Sequence, residues 1–418
     1  MIKHIVEEAK RCLRCKSPNC MKGCPVETPI NTMIAMLLDD SISDAGKMLF
    51  NNNPLSVICA LVCPHEQFCE GHCVLAKKGM PIHISSIEHY VSDYYLNILN
   101  KKPVINPNKK VAIIGSGPAG ITIALILARK GYDITIFEAH DKIGGVLRYG
   151  IPEFRLPKEI LEKLKEKILE MGIKIRPNIL IGPNLTIDDL FRDGYKAAFI
   201  GTGVWKPRTL GIKGESFGHV HYAIDYLKNP DVYSLGSTVA IIGAGNVAMD
   251  VARTALRKGS REVYILYRKG IDEITASRPE VEYAKIDGVK FLFYTSPTEI
   301  VDEGIKYVKT EVVTDSKGHE KLLPIEGSEG LFTCDSIIVA VSQGPRANIV
   351  SNTTGICVNK QGLVSTDDFG QTTREGVFAS GDVVTGARTV VEAVMFSKKV
   401  AKSIDEYVTN KYGNLHDF

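Results

Sequence analysis

Lys110–Ala139, KVAIIGSGPAGITIALILARKGYDITIFEA, is the stretch of this 418-residue chain on which the fold turns. Val111–Ile114 is a strand-forming run that breaks at Gly115. Gly117, Pro118, Ala119 and Gly120 then lead into an apolar helix expected from near Ile121, and a second strand, DITIFEA, ends at Glu138. The three glycines have separate jobs: Gly115 permits the tight turn, Gly117 lets a pyrophosphate approach the backbone, and Gly120 lets helix and strand pack closely. Free N–H groups at the helix start meet phosphate charge. Glu138, about 20 residues on, is placed to accept hydrogen bonds from both hydroxyls of an unphosphorylated ribose. A glycine turn in a nucleotide-free α/β protein is the plain alternative, and strand, glycines, helix and acid in register weigh against it.

The motif returns as GAGNVA at 243–248, after the strand TVAII. Gly243 and Gly245 repeat the turn, Asn246 and Val247 follow at its tip, and Ala248 replaces the third glycine, which loosens packing slightly. The next strand, EVYILYRK, ends on Arg268 and Lys269 with no acid. These charges, with Arg278 in ASRPEV, suit the 2'-phosphate of NADPH, which guanidinium grips through two parallel donors. A solvated basic strand end is the alternative, and Asp272 and Glu273 offer carboxylates that could hold a plain NADH ribose instead.

Strand-like runs VAIIG, DITIFEA, AAFIG, TVAIIG, EVYILYR and SIIVAV alternate with helices from Val111 onward, which predicts an α/β fold with two doubly wound units. Before them, IVEEAKRCL, INTMIAMLL and ISSIEHYVSDYYLNIL show helical apolar spacing without strands, and the polar linker Asn100–Lys110 marks the change. The expected domains are a helical one over 1–104, a first dinucleotide domain split between 105–212 and 346–418, and a second over 213–345. In two-dinucleotide flavoproteins, which this pattern resembles, a glycine pair sits by the flavin phosphates and a late Gly-Asp binds the ribityl and phosphate portion. Gly144-Gly145 and Gly381-Asp382 match those places, which makes FAD the expectation for the first unit. The helix that follows starts near Thr389 and Val390, and its positive end would stabilise charge on reduced flavin.

The balance of 51 Lys+Arg against 48 Asp+Glu is not the basic excess that tracking nucleic acid requires. Lys3, Glu7, Glu8, Lys10 and Arg11 interrupt any signal-peptide core, so a cytoplasmic location is expected. The most apolar stretch, Val111–Ala128, carries Gly115, Gly117, Pro118 and Gly120 and is not expected to span a membrane.

Eight of the ten cysteines lie between Cys12 and Cys73. One run is Cys12, Cys15, Cys20 and Cys24-Pro25; the other is Cys59, Cys63-Pro64, Cys69 and Cys73. Thiolate runs closing on Cys-Pro are typical of Fe-S ligation, and eight ligands suit two [4Fe-4S] clusters. Structural zinc is the rival, since two pairs of thiolates also make a site, and free thiols are a third reading. Clusters fit the electron counting: a hydride brings two electrons, flavin releases them singly, and clusters accept one at a time. No proton-transfer or nucleophilic residue stands out, and His65, His83 and His89 read as surface or helix-packing residues. No Cys-x-x-Cys occurs between Gly203 and Pro345, which removes the dithiol that thioredoxin reductases require.

RCLRCKSPNCMKGCP, ICALVCPHEQFCEGHC, IHISSIEHY, GGVLRYGIPEFRLPKEI, the two glycine loops, ASRPEV and ASGDVV occur in one order along nearly the whole chain. The chain resembles the glutamate synthase small-subunit family and the electron-input half of dihydropyrimidine dehydrogenase. The resemblance implies hydride transfer from NADPH to FAD near IPEFRLP and onward flow to a larger catalytic subunit, because amidotransferase, FMN and pyrimidine-reducing domains are absent from this sequence. It implies one cluster on Cys12, Cys15, Cys20 and Cys73. A second would use Cys24, Cys63 and Cys69 with Glu88, where dihydropyrimidine dehydrogenase has glutamine, leaving Cys59 as a structural thiol or a competing ligand. The eleven residues before Cys12 are fewer than the leader expected of glutamate synthase small subunits, which, with GIDEITAS, brings the dihydropyrimidine dehydrogenase subunit into the same expectation. A redox sensor with structural clusters is the non-enzymatic alternative.

Overall fold

The computed structural model describes residues 2–100, 102–314 and 320–412. The chain forms two compact units, one of Met1–Arg148, Glu153–Val204 and Gly344–Phe418, the other of Tyr149–Pro152 and Trp205–Gln343. The helical N-terminal segment thus shares a unit with the first glycine loop.

That segment contains no strand before Asn106 among the described residues. The helix Ile30–Leu38 buries Ile30, Met33, Ile34 and Leu37, the i, i+3, i+4, i+7 face of an amphipathic helix. They pack with Leu49, Ile84, Ile87 and Val91, and the same core takes in Cys69 and Cys73. The first helix, Ile2–Lys10, ends three residues before the run IVEEAKRCL does. Its end tightens into i→i+3 bonds, Arg11 N to Glu8 O at 3.2 Å and Cys12 N to Ala9 O at 3.1 Å, which releases Cys12 and Cys15 into a loop. Two helices the sequence reading did not single out, Ile42–Asn52 and Ser56–Val62, are separated by Asn53, whose Oδ1 accepts from Leu55 N at 2.9 Å.

The first sheet runs Val377–Ala379, Ala197–Ile200, Asn106–Ile114, Tyr132–Phe137, Lys174–Arg176, all parallel. Strands following Asn106–Ile114 in the chain flank it on both sides, so the loop after Ile114 opens at the point where strand order reverses, the usual ligand crevice of such sheets. The second unit repeats the plan as Val220–Tyr222, Ser336–Val339, Thr238–Ile242, Glu262–Leu266, Lys290–Leu292, again parallel. It adds antiparallel pairing of Gly304–Thr314 with Thr295–Val301, Glu320–Pro324 and Gly330–Thr333, which the strand-helix alternation did not foretell. Alternation of β-branched and polar residues in KYVKTEVV is that of an exposed ribbon. Among the described residues no helix is long and apolar enough to cross a membrane.

Candidate cofactor sites

The first glycine loop is shaped by backbone approach. Gly115 has φ +97°, and a Cβ there would stand 2.6 Å from Gly201 O. A Cβ on Gly120 would stand 2.0 Å from Gly115 O, so helix and strand meet there without room for a methyl group. The helix Pro118–Arg129 starts on Gly117 without a side-chain cap. The amides of Gly117, Ala119 and Gly120 have no partner among the described residues, the arrangement that receives a phosphate. Gly145 closes over this loop, its would-be Cβ 2.8 Å from Gly117 Cα, and Gly381 at φ +75° approaches Ala119. These close approaches fit a dinucleotide pyrophosphate lying across the loop.

Glu138 is 5% exposed and already well met by protein donors. Ser116 donates to its Oε2 from the backbone N (2.9 Å) and from Oγ (2.5 Å), and its Oε1 accepts from His140 N at 2.8 Å and lies 3.0 Å from His140 Nδ1. Burial alone would raise its pKa, yet these bonds together carry it below the ordinary carboxylate value. It therefore presents a held anion, and a ribose would share its oxygens with Ser116 and His140. Asp382 accepts from Arg388 N at 3.2 Å, and burial pushes its pKa up to about 6. At the following helix, Val390–Tyr412, Thr389 and Glu392 form a reciprocal cap: Thr389 N and Oγ1 donate to Glu392 Oε2 at 3.0 and 2.6 Å. That leaves the N–H groups of Val390 and Val391 without a partner among the described residues.

In the second unit Gly243 has φ +123°, with a would-be Cβ 2.4 Å from Ala340 O, and Gly245 precedes the helix Asn246–Arg257. Asn246 turns back, its Oδ1 accepting from Ser277 N at 2.9 Å, and Ala248 is fully buried. Val247 packs at the edge of the unit's core. The strand ends at Leu266, two residues before Arg268, whose carbonyl accepts from Thr310 Oγ1 at 2.6 Å. Arg268 and Arg278 are exposed, and with Lys269 they have no ion-pair partner among the described residues. Glu273 accepts from Gly270 N at 2.9 Å in a local turn. Of the two carboxylates that could serve a plain ribose, one is thus engaged by the backbone.

The thiols fall into two groups. Cys12, Cys15, Cys20 and Cys73 line one cavity, together with Leu13, Ile30, Ile34, Val74 and Leu75. Burial, then the nearby thiols, raises the pKa of Cys12, and Cys20 is pushed up to about 11, mainly by burial. No three His, Cys, Asp or Glu side chains among the described residues are gathered closely enough to hold a single metal ion. The four thiols thus share one cavity. Cys24, Cys63, Cys69 and Glu88 form the second group, with the charge of Glu88 acting on all three thiols. Glu88 is 6% exposed, and its carboxylate has no hydrogen-bond or ion-pair partner among the described residues. Burial first, then Glu70, pushes its pKa up to about 8. Cys59 is buried beside Cys63, and the hydrogen bond between them leads the causes that raise the Cys63 thiol.

The comparisons with known proteins follow this division. Residues 109–396 match the pyridine nucleotide-disulphide oxidoreductase description, and residues 2–98 match the dihydropyrimidine dehydrogenase domain II, 4Fe-4S cluster description. The chain belongs to the pyridine nucleotide-disulphide oxidoreductase family. The small chain of glutamate synthase [NADPH] from Halomonas elongata is 34% identical over 96% of this chain and 90% of its own. The NADP(+)-dependent formate dehydrogenase subunit beta of Moorella thermoacetica is also 34% identical, over 93% of this chain but 60% of its own. Among solved structures, FprA of Mycobacterium tuberculosis superposes with TM-score 0.63 at 18% identity, covering 74% of this chain and 86% of that one. Thioredoxin reductase of Thermoplasma acidophilum, with TM-score 0.54 at 22% identity, covers 72% of this chain and 99% of its own. Both structures share the fold. This family member is an oxidoreductase with an N-terminal Fe-S domain.

Several residues escaped the sequence reading of this oxidoreductase. His65, expected at the surface or in helix packing, is half-buried: it lies 3.5 Å from Cys69 Sγ through Nδ1 and 3.1 Å from Ala60 O through Nε2, so it packs against the second thiol group. Asn51 and Asn52 tie the thiol segment to the first dinucleotide sheet's helices: Arg129 donates to Asn51 Oδ1 at 2.7 Å and Lys398 to Asn52 Oδ1 at 2.8 Å. Asn and Lys carry no signal for such contacts, because their partners lie far along the chain. Cys334 stands alone and buried, its thiol pushed up to about 12, chiefly by burial.

Proposed function

We propose that the chain is the electron-input subunit of a larger oxidoreductase: hydride passes from NADPH to FAD, and electrons leave through two [4Fe-4S] clusters to a partner. One observation carries this. Both thiol groups lie in the same compact unit as the FAD cradle, and the helix Ile42–Asn52 between them in the chain is bound to it through Arg129–Asn51 and Lys398–Asn52, which gives the flavin an outlet within its own unit.

In this reading the amides of Gly117, Ala119 and Gly120 bind the FAD pyrophosphate, Glu138 and Asp382 orient its ribose and ribityl parts, and the N–H groups of Val390 and Val391 favour negative charge on the ring. Gly243, Gly245 and Asn246 receive the nicotinamide dinucleotide, and Arg268, Lys269 and Arg278 select its 2'-phosphate. Cys12, Cys15, Cys20 and Cys73 hold one cluster; Cys24, Cys63, Cys69 and Glu88 hold the other, with Cys59 packing beside it. Four thiols lining one cavity suit a cluster, which takes up one electron at a time, whereas zinc carries none. Bound flavin supplies the conversion of a two-electron donor into one-electron steps. The partner is of the glutamate synthase large-subunit kind, in keeping with the Halomonas relative, which the chain matches over most of both lengths. The dihydropyrimidine dehydrogenase catalytic subunit is the second reading, favoured by the match of residues 2–98.

Anaerobic stopped-flow mixing with NADPH tests the proposal. Flavin bleaching followed by the electron paramagnetic resonance (EPR) signals of two reduced clusters is expected. Flavin that bleaches while the clusters stay oxidised would assign them a structural role and end the electron-input reading.

A further inference from the structure

Between residues 10 and 22 the chain carries Lys10, Arg11, Arg14, Lys16 and Lys22 and no carboxylate, and Lys77 and Lys78 follow Cys73. Lys10 and Arg11 are occupied by Glu7 at 2.8 Å and Glu8 at 2.6 Å. Arg14, Lys16, Lys22, Lys77 and Lys78 are exposed, and none has an ion-pair partner among the described residues. Chain adjacency places them around the cavity of Cys12, Cys15, Cys20 and Cys73. Arg14 lies between two lining residues, Leu13 and Cys15; Lys16 follows Cys15, and Lys22 lies two past Cys20. Lys77 and Lys78 end the short helix Val74–Lys78, whose first two residues line the cavity.

The face is not uniformly polar. Leu13 is 61% exposed and Met80 is 62% exposed, far more than such side chains need be. Both are held in place: Leu13 precedes Arg14, whose φ of 46° fixes a left-handed turn, and Arg11 Nη2 donates to Met80 O at 3.0 Å. A purely solvated charged loop would account for the lysines but not for two exposed apolar side chains on ordered backbone among them. Exposed apolar side chains set among unpaired charges are the composition of a protein interface.

We propose that this face docks an acidic electron-accepting protein, one whose carboxylates surround its own redox centre. The proposal rests on the electron-input reading and adds the place where electrons leave and the charge of what receives them. Opposite charge speeds encounter and orients the two centres toward each other. In the transfer one electron leaves the cluster bound by this thiol group and one reduces the partner's centre; no bond, proton or leaving group moves. Nucleic acid would answer to the lysines but would make no use of Leu13 and Met80.

The test uses the holoenzyme carrying Lys16→Glu, Lys22→Glu, Lys77→Glu and Lys78→Glu together, with the corresponding four Gln exchanges as a gentler second variant. An acidic [2Fe-2S] ferredoxin serves as protein acceptor and menadione as a small neutral one. Flavin bleaching by NADPH and turnover with menadione are expected to match the unaltered enzyme, and the Gln variant controls for any change in the potential of the nearby cluster. Ferredoxin reduction at low ionic strength is expected to fall about tenfold or more in the Glu variant and less in the Gln variant, and added salt to slow only the unaltered enzyme. Equal ferredoxin rates, or rates indifferent to salt, overturn the proposal. So does retention of single-stranded DNA or anionic vesicles by the unaltered enzyme alone, with ferredoxin rates equal. The same ferredoxin rates measured on dithionite-reduced protein decide the docking claim even where NADPH fails to reduce the clusters, so the two readings fail separately.

Discussion

A buried carboxylate with no partner among the described residues, set against three thiols, calls for a cation, and Glu88 is in that position. Burial keeps this carboxyl largely protonated at neutral pH, and a metal centre would hold it as the charged ligand. Glu88→Ala is expected to lower iron and sulfide by about half while leaving flavin in place, and Cys59→Ala to leave the iron unchanged. Iron and acid-labile sulfide assays check both; loss of half the iron in Cys59→Ala instead would make Cys59 the ligand. Arg268 poses the matching question for the nucleotide. A charge-assisted bond to phosphate contributes about 1.5–3 kcal/mol, so Arg268→Ala is expected to raise KM for NADPH by about 10–100-fold with little change in kcat. Turnover with NADH should stay as it is, because no 2'-phosphate is involved. A parallel loss with both nucleotides would mean that Arg268 supports the loop and does not read the phosphate.

At the level of elements, both glycine loops were legible because a tight backbone approach can be met in only one way. Gly120 shows why: an added methyl would meet the Gly115 carbonyl at 2.0 Å, and backbone does not move aside. Gly120→Ala is expected to push the helix Pro118–Arg129 off its strand and yield protein without flavin, seen as loss of visible absorbance on purification. The second loop holds Ala248, fully buried, at the corresponding place, so the close packing that Gly120 needs is not general to the motif. Helical periodicity likewise gave Ile30–Leu38 and Ile84–Ile98 nearly to the residue. What stayed hidden was set by partners far along the chain. The ribbon Thr295–Val301 with Gly304–Thr314 has one face in solvent and therefore no strong apolar run, and the early end of Ile2–Lys10 follows from a tightened last turn that no residue type announces. His65, read as a surface or helix-packing residue, meets Cys69 only four residues on, through a local turn.

Across the whole molecule the flavin cradle and the thiol groups are joined by long side chains, and one of these bears on electron flow. Lys398 stands on the helix Val390–Tyr412, whose first N–H groups the proposal assigns to flavin, and its ammonium donates to Asn52 Oδ1. Asn52 passes the contact on, donating through Nδ2 to Val26 O at 3.1 Å, two residues beyond Cys24. Burial lowers the affinity of Lys398 for its proton, and Cys24 and Glu27 are the charges that oppose the change, so the ammonium lies within the field of the second thiol group. A cation there favours the more negative, reduced state of a cluster on Cys24, Cys63, Cys69 and Glu88, and so makes that cluster a better acceptor from flavin. Lys398→Met keeps most of the length of the side chain and removes the charge. Its expected effect is a fall of tens of millivolts in the potential of one cluster, with the other cluster and the flavin unmoved, and slower cluster reduction after unchanged flavin bleaching. Redox titration followed by EPR measures the first and stopped-flow the second. Lys398→Arg should restore both, because it returns the charge. If neither cluster signal shifts in the methionine variant, Lys398 is a packing residue that fastens the thiol segment through Asn52 and has no part in setting the direction of flow.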